Sequence, residues 1–177
     1  MKKIISLIVI FVLGALNAQA QWEQSKGLYG GTISSLAVSG MTVHAVVNGV
    51  IYRSTDNGYS WTGAKMIWGS FTNSLFVRDS TLFATAWGIG VARSTDNGNT
   101  WTISRSKEIE YVELYSLFVN DKSIFVGTAT GLYQSNDNGD TWTLSSLVQN
   151  VRSLVVSGGI LFAGTDSGIY LSTDNGG

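Results

Sequence analysis

The chain has 177 residues, 44% of them hydrophobic and 13% charged, with 21 glycines, no proline, no cysteine and a single histidine, His44. That composition belongs to a folded globular protein and excludes a disulfide framework, thiolate metal sites and Cys/His catalysis, so no metal and no cofactor is expected. The formal net charge is −1, and no basic stripe runs along the sequence, which argues against nucleic acid and acidic membrane surfaces as partners.

Residues 1–20 differ in character from the rest. Lys2 and Lys3 precede a 13-residue apolar run from Ile4 to Leu16, and Ala18-Gln19-Ala20 supplies a small-x-small cleavage pattern. The run is too short for a bilayer-spanning helix, which needs about 20 residues. A signal peptide at 1–20, cleaved before Gln21, is therefore expected. It would leave 21–177 outside the cytoplasm, periplasmic, cell-surface or secreted, with no transmembrane segment after cleavage. Loss of both lysines leaves nine basic against twelve acidic residues, a formal charge of −3.

After residue 30 the chain repeats itself. "RSTDNGYSW" ends at Trp61, "RSTDNGNTW" at Trp101 and "QSNDNGDTW" at Trp142, and "LSTDNG" begins at Leu171. The aspartates Asp56, Asp96, Asp137 and Asp174 stand 40, 41 and 37 residues apart, and each follows an apolar Ser-Leu segment by 20 or 21 residues, at Leu36, Leu75, Leu117 and Leu154. So tight an offset marks one repeating structural unit. Each unit reads as four short strands, A to D. In the third, "YSLFV" is A, "SIFVGTA" is B, "GLYQS" is C and "TWTLS" is D. Segments such as "LFATA" are apolar on both faces, as sheets packed between two neighbours require. The expected fold is all-β, a propeller of four-stranded antiparallel blades with about four repeats present.

The Ser/Thr-x-Asp-x-Gly-x-Thr/Ser-Trp phrase resembles the Asp-box, or bacterial neuraminidase, repeat. The surrounding "LFAGTDSGIYLSTDNG" is similar to propellers of the photosystem II assembly-factor type, within a superfamily that also holds sialidases and sortilin-like receptors. The resemblance covers nearly all of 21–177 and implies a C–D turn fastened by Asp56, Gly58 and Trp61; by Asp96, Gly98 and Trp101; by Asp137, Gly139 and Trp142; and by Asp174 and Gly176. The physical reading agrees. Asn-Gly favours a tight turn with φ > 0, and the preceding aspartate can accept hydrogen bonds from turn amides and hydroxyls. A calcium loop of the EF-hand type needs a glutamate eleven residues after its first aspartate, where Ile67, Lys107 and Val148 stand; Asp137 and Asp140 leave a weak irregular site open. His44 takes the strand B position of Phe83, Phe125 and Phe162 and reads as a packed side chain.

Four blades in an open stack expose two apolar faces. "QWEQS" reads as a lone strand D, because Trp22 precedes Leu36 by 14 residues as Trp61 precedes Leu75. It either completes the fourth unit of a four-bladed ring or belongs to a longer chain forming a six- or seven-bladed ring, and the second is expected. Alternation of turns puts the boxes on one rim and the B–C and D–A links on the other. On that opposite rim fall Lys65, Trp68, Trp87, Arg105, Lys107, Glu108, Glu110, Tyr111, Glu113, Arg152 and Asp166. Trp68, Trp87, Arg105, Lys107, Glu108, Glu110 and Asp166 are the candidate ligand-binding residues. No catalytic residue is assigned. The expected function is an exported non-catalytic propeller that binds a protein or carbohydrate or serves as a scaffold; the alternative is a sialidase-like or xyloglucanase-like glycoside hydrolase completed by a further C-terminal portion.

Overall fold

The computed structural model describes residues 23–63, 72–104, 106–120, 123–146, 148–174 and 176. The expected signal peptide, and Trp22, lie outside them. Fifteen strands form four antiparallel sheets among the described residues. Blade I is β1 (Ile33–Ser39), β2 (Thr42–Val47), β3 (Val50–Ser54) and β4 (Thr62–Gly63). Blade II is β5 (Leu75–Arg78), β6 (Thr81–Ala86), β7 (Gly90–Ser94) and β8 (Thr102–Ser104). Blade III is β9 (Leu114–Val119), β10 (Ile124–Thr128), β11 (Leu132–Ser135) and β12 (Thr143–Ser146), and blade IV is β13 (Val151–Ser157), β14 (Ile160–Thr165) and β15 (Gly168–Ser172). Strands in each sheet pair in chain order, so every blade is a simple meander.

The first strand of each blade packs on the first strand of the next, β1 on β5, β5 on β9 and β9 on β13, so these strands converge on a common axis. Three apolar layers hold the blades together. Between I and II lie Val46, Ile51, Leu75, Leu82 and Ala84. Between II and III lie Phe83, Val91, Leu117, Val119, Ile124 and Trp142, and between III and IV lie Phe125, Leu132, Leu161 and Ala163. Strands β6 and β10 are buried on both faces almost throughout, the physical reason for their unbroken apolar sequence. Each fully buried Phe contributes about 1.5–3 kcal/mol of burial, so Phe125→Ala is the kind of change that would part blades III and IV.

Polar links add register to these layers. The Ser35 hydroxyl donates to the Leu75 carbonyl and accepts from the Leu75 amide at 3.3 and 3.0 Å, and Ser116, at the same repeat position, donates to the Val151 carbonyl at 3.0 Å. His44 is fully buried beside its cross-strand neighbours Ala37 and Arg53, and neither ring nitrogen finds a hydrogen-bond partner among the described residues. Burial, and then Arg53, push its pKa down. It is a packed neutral side chain in a position its sister blades fill with phenylalanine.

Candidate functional site

The repeated turns carry the most regular chemistry of the fold. In blade I the Ser54 hydroxyl donates to Asp56 Oδ1 at 2.7 Å and accepts the Gly58 amide at 2.8 Å. Asp56 also accepts the Ser60 amide at 2.9 Å and the Ser60 hydroxyl at 2.5 Å. Blades II and III repeat the pattern with Ser94, Asp96, Gly98 and Thr100, then Ser135, Asp137, Gly139 and Thr141, the Asp–Thr amide bond being 2.8 Å in both. In blade IV, Ser172 bonds Asp174 and Gly176 likewise. Asn57 and Gly58 both have positive φ (59° and 87°), which an Asn-Gly pair tolerates and a β-branched residue does not. The hydroxyls and amides around Asp56, Asp96 and Asp137, with Ser60, Thr100 and Thr141 foremost, lower each carboxyl to about 2.

Both oxygens of each of these three carboxylates are thus spent inside the turn. That leaves Asp137 poorly disposed to serve a cation with Asp140, and no group of three metal-ligating side chains occurs among the described residues. The indole N–H of Trp61, Trp101 and Trp142 closes each turn on the carbonyl of Gly58, Gly98 and Gly139, at 3.2, 3.2 and 3.0 Å. Trp142 is buried, while Trp61 and Trp101 are half-buried. The turns also latch neighbouring blades, Arg53 donating to Asn99 at 2.8 Å and Arg78 to Asn138 at 2.7 Å.

The opposite rim is built differently from blade to blade. Trp87, in the β6–β7 turn, is 53% exposed. The link from β8 to β9 is not extended: the amides of Ile109 and Glu110 turn back onto the Ser106 carbonyl, at 3.2 and 2.9 Å. This turn drives Ile109 into the layer between blades II and III and leaves Lys107 and Glu108 in solvent and Glu110 half-buried. The Ser106 hydroxyl donates to the Glu108 carboxylate and, with Lys107 nearby, lowers its pKa. Trp68, Arg105 and Lys65 fall outside the described residues.

Asp166 is drawn into a cluster. In the β14–β15 turn it meets Arg152 on β13 through two hydrogen bonds of 3.1 Å, and the Arg152 guanidinium lies 3.9 Å over the ring of Tyr115 on β9. The Tyr115 hydroxyl donates to Glu113 at 2.5 Å. The Glu113 bond, with desolvation, raises the Tyr115 pKa, and Arg152 lowers that of Asp166. Trp87, Lys107, Glu108 and Glu110 take no part in this cluster among the described residues.

Tyr115 escaped the sequence reading because it looked like the first residue of an apolar strand. A signal existed. Ser34, Asn73, Tyr115 and Arg152 each precede the repeated Ser-Leu pair, so one position varies freely inside a faithful repeat. That position opens the axial strand at the rim opposite the boxes, where Tyr115 and Arg152 of successive blades face one another.

No protein-family model and no curated protein sequence matches the chain. Solved structures do. The extracellular domain of BT4673 from B. thetaiotaomicron matches at 17% identity and a TM-score of 0.73, over 86% of this chain and 22% of that one. YCF48 bound to D1 peptide matches at 18% and 0.67, over 80% and 50%, and the Niastella koreensis GH74 enzyme at 20% and 0.61, over 77% and 26%. The chain spans half the length of these proteins or less. At such identities the likeness speaks for architecture alone, and together with the four meander blades packed about one axis it makes the chain a β-propeller.

Proposed function

We propose that the chain is an exported, non-catalytic propeller module of the Asp-box type, which binds a protein or carbohydrate on the rim opposite its repeated turns. The observation that carries this reading is the contrast between the rims. One carries three self-satisfied turns and the Ser172–Asp174–Gly176 part of a fourth, and near-identical copies are what a fastener needs. The other varies from blade to blade and offers an exposed indole at Trp87, the Tyr115–Arg152–Asp166 cluster, and charged Lys107 and Glu108. Aromatic and arginine side chains of this kind anchor protein and sugar ligands. That YCF48 was solved with a peptide supports a propeller of this fold as a peptide binder. Export fits the basic, apolar and small-x-small leader, and among the described residues no helix is long and apolar enough to cross a membrane.

Glycoside hydrolysis is the second reading, and one contact favours it: a phenol donating to a carboxylate, Tyr115 to Glu113, is how a tyrosine nucleophile would be activated. Other features weigh against it. The Tyr115 pKa is raised rather than lowered, and Arg152 is already engaged by Asp166. A glycosidase acid needs an elevated carboxyl pKa, whereas Glu108 and Asp166 are both depressed. Incubating the purified protein with sialosides and β-glucans separates the two readings. No released sugar is expected, and turnover abolished by Tyr115→Phe would replace the binding reading with the enzymatic one.

A further inference from the structure

Asn-Gly occurs five times in the chain, at Asn48, Asn57, Asn97, Asn138 and Asn175. The pair is chemically fragile in general, because glycine has no side chain to keep its backbone nitrogen away from the asparagine carboxamide. Asn175 lies outside the described residues. Backbone conformation does not separate the other four: φ is 49° and 80° at Asn48 and Gly49, and 56–61° and 82–93° across the three box pairs. All four asparagines are exposed.

The glycine amide does separate them. In the boxes the N–H of Gly58, Gly98 and Gly139 donates to a serine hydroxyl four residues earlier, Ser54, Ser94 and Ser135, at 2.8 Å in each case. Four residues before Gly49 stands Ala45, which has no hydroxyl, and the Gly49 amide has no partner among the described residues. The carboxamide oxygen matters as well. Asn48 Oδ1 accepts the Thr32 amide at 3.0 Å, and Asn138 Oδ1 accepts the Arg78 guanidinium at 2.7 Å. A free glycine amide and a polarised carboxamide therefore coincide only at Asn48 among the described pairs.

We propose that Asn48 is a site of spontaneous deamidation in the folded protein, and that the box serines shield their own Asn-Gly pairs from the same reaction. The Gly49 nitrogen, having given its proton to solvent hydroxide, attacks Asn48 Cγ. Reaching it takes a rotation within the turn, which a free amide allows and which in a box would first break the serine bond. The new N–Cγ bond places negative charge on Oδ1, where the Thr32 N–H stabilises it. Collapse breaks the bond from Cγ to Nδ2, which leaves as ammonia after taking a proton from water, and a five-membered succinimide remains. Water then opens either carbonyl, giving aspartate or isoaspartate at position 48; the net change is one water in and one ammonia out, with no redox step. Isoaspartate adds a backbone carbon and a negative charge to the β2–β3 turn. That turn lies on the rim opposite the boxes, where the Gly49 carbonyl accepts the Thr72 amide at 3.2 Å, so the product alters this rim as the protein ages.

The test is peptide mapping by mass spectrometry after the folded protein has stood in warm, mildly alkaline buffer, with a second sample held unfolded in urea. Gly49 and Gly58 are alike half-buried, which makes Asn57 the matched comparison. In the folded sample, conversion at Asn48 should outrun that at Asn57, Asn97 and Asn138 by about fivefold or more, the effect of one net hydrogen bond. The converted peptide should contain isoaspartate, read by labelling with isoaspartyl methyltransferase. In urea the four rates should converge, because no serine bond survives there. Equal rates in the folded sample, a box asparagine ahead of Asn48, a preference for Asn48 that persists undiminished in urea, or aspartate at position 48 without isoaspartate would each overturn the proposal.

Discussion

Replacing Trp142 with alanine probes the fastener reading at its best-buried copy. The side chain is 4% exposed, packs in the layer between blades II and III, and donates its indole N–H to Gly139 and Ser104 at 3.0 and 3.2 Å. Truncating a buried tryptophan costs about 3–5 kcal/mol, part transfer and part cavity. For a chain of this size each kcal/mol lowers the melting temperature by roughly 2–4 °C, so the expected fall is roughly 6–20 °C. Trp101 makes the same bond to its own turn but is half-buried, and scaling by buried area puts Trp101→Ala at about half that cost. The assay is thermal unfolding followed by near-ultraviolet circular dichroism. Equal losses for the two variants, or a larger one for Trp101→Ala, would refute the argument that inter-blade burial sets the cost. Unchanged melting in both would refute the fastener itself.

Asp56, Asp96 and Asp137 sit at about 2 in the folded chain against 3.8 ordinarily, so the unfolded state binds protons first as acid is added. Their stabilisation should be complete above about pH 4 and lost as pH falls through about 2, and a melting temperature constant from pH 4.5 to 2 would contradict this. Gly98→Val should destabilise even though the nearest atoms leave a Cβ ordinary contact distances, because φ there is +82°; a wild-type melt would remove the backbone argument. His44→Phe should stabilise by about 1–3 kcal/mol by removing two unpartnered buried nitrogens. Because burial depresses the His44 pKa, wild-type stability should also fall as pH drops below about 6.5, and the variant should lose that dependence; a slope shared by both proteins would assign it elsewhere.

The sequence made the architecture legible because every level of it points the same way. The Ser-Leu segments recur in register with the Asp-x-Gly turns, and the strands expected in the third unit coincide with β9 to β12 within a residue or two. The turn chemistry was equally legible, since Asp56 and its equivalents accept the amides and hydroxyls that Asn-Gly geometry brings near. Burial of the individual tryptophans was not. Trp61, Trp101 and Trp142 occupy one repeat position, yet their exposure depends on what the neighbouring blade supplies. The rim was the least legible part. Glu108 and Glu110 would share a direction only on an extended segment, and Ile109 between them has a stronger demand for burial, which curls the link. Tyr115 and Arg152 meet only because adjacent axial strands converge, a relation between residues 37 positions apart that no local pattern encodes.

The assignment of binding to the rim opposite the turns is tested most directly by a peptide and glycan array probed with wild type, Trp87→Ala, Arg152→Ala and Asp79→Asn. Asp79 sits on the box-side turn between β5 and β6 with φ of 56°, which asparagine tolerates as well as aspartate. Arg152 and Asp166 form an exposed pair that contributes little to folding, so all three variants should melt close to wild type. Trp87→Ala and Arg152→Ala should lose the array signals of wild type by tenfold or more while Asp79→Asn retains them. Signals kept by the first two and lost by Asp79→Asn would place recognition on the rim of the repeated turns and contradict it.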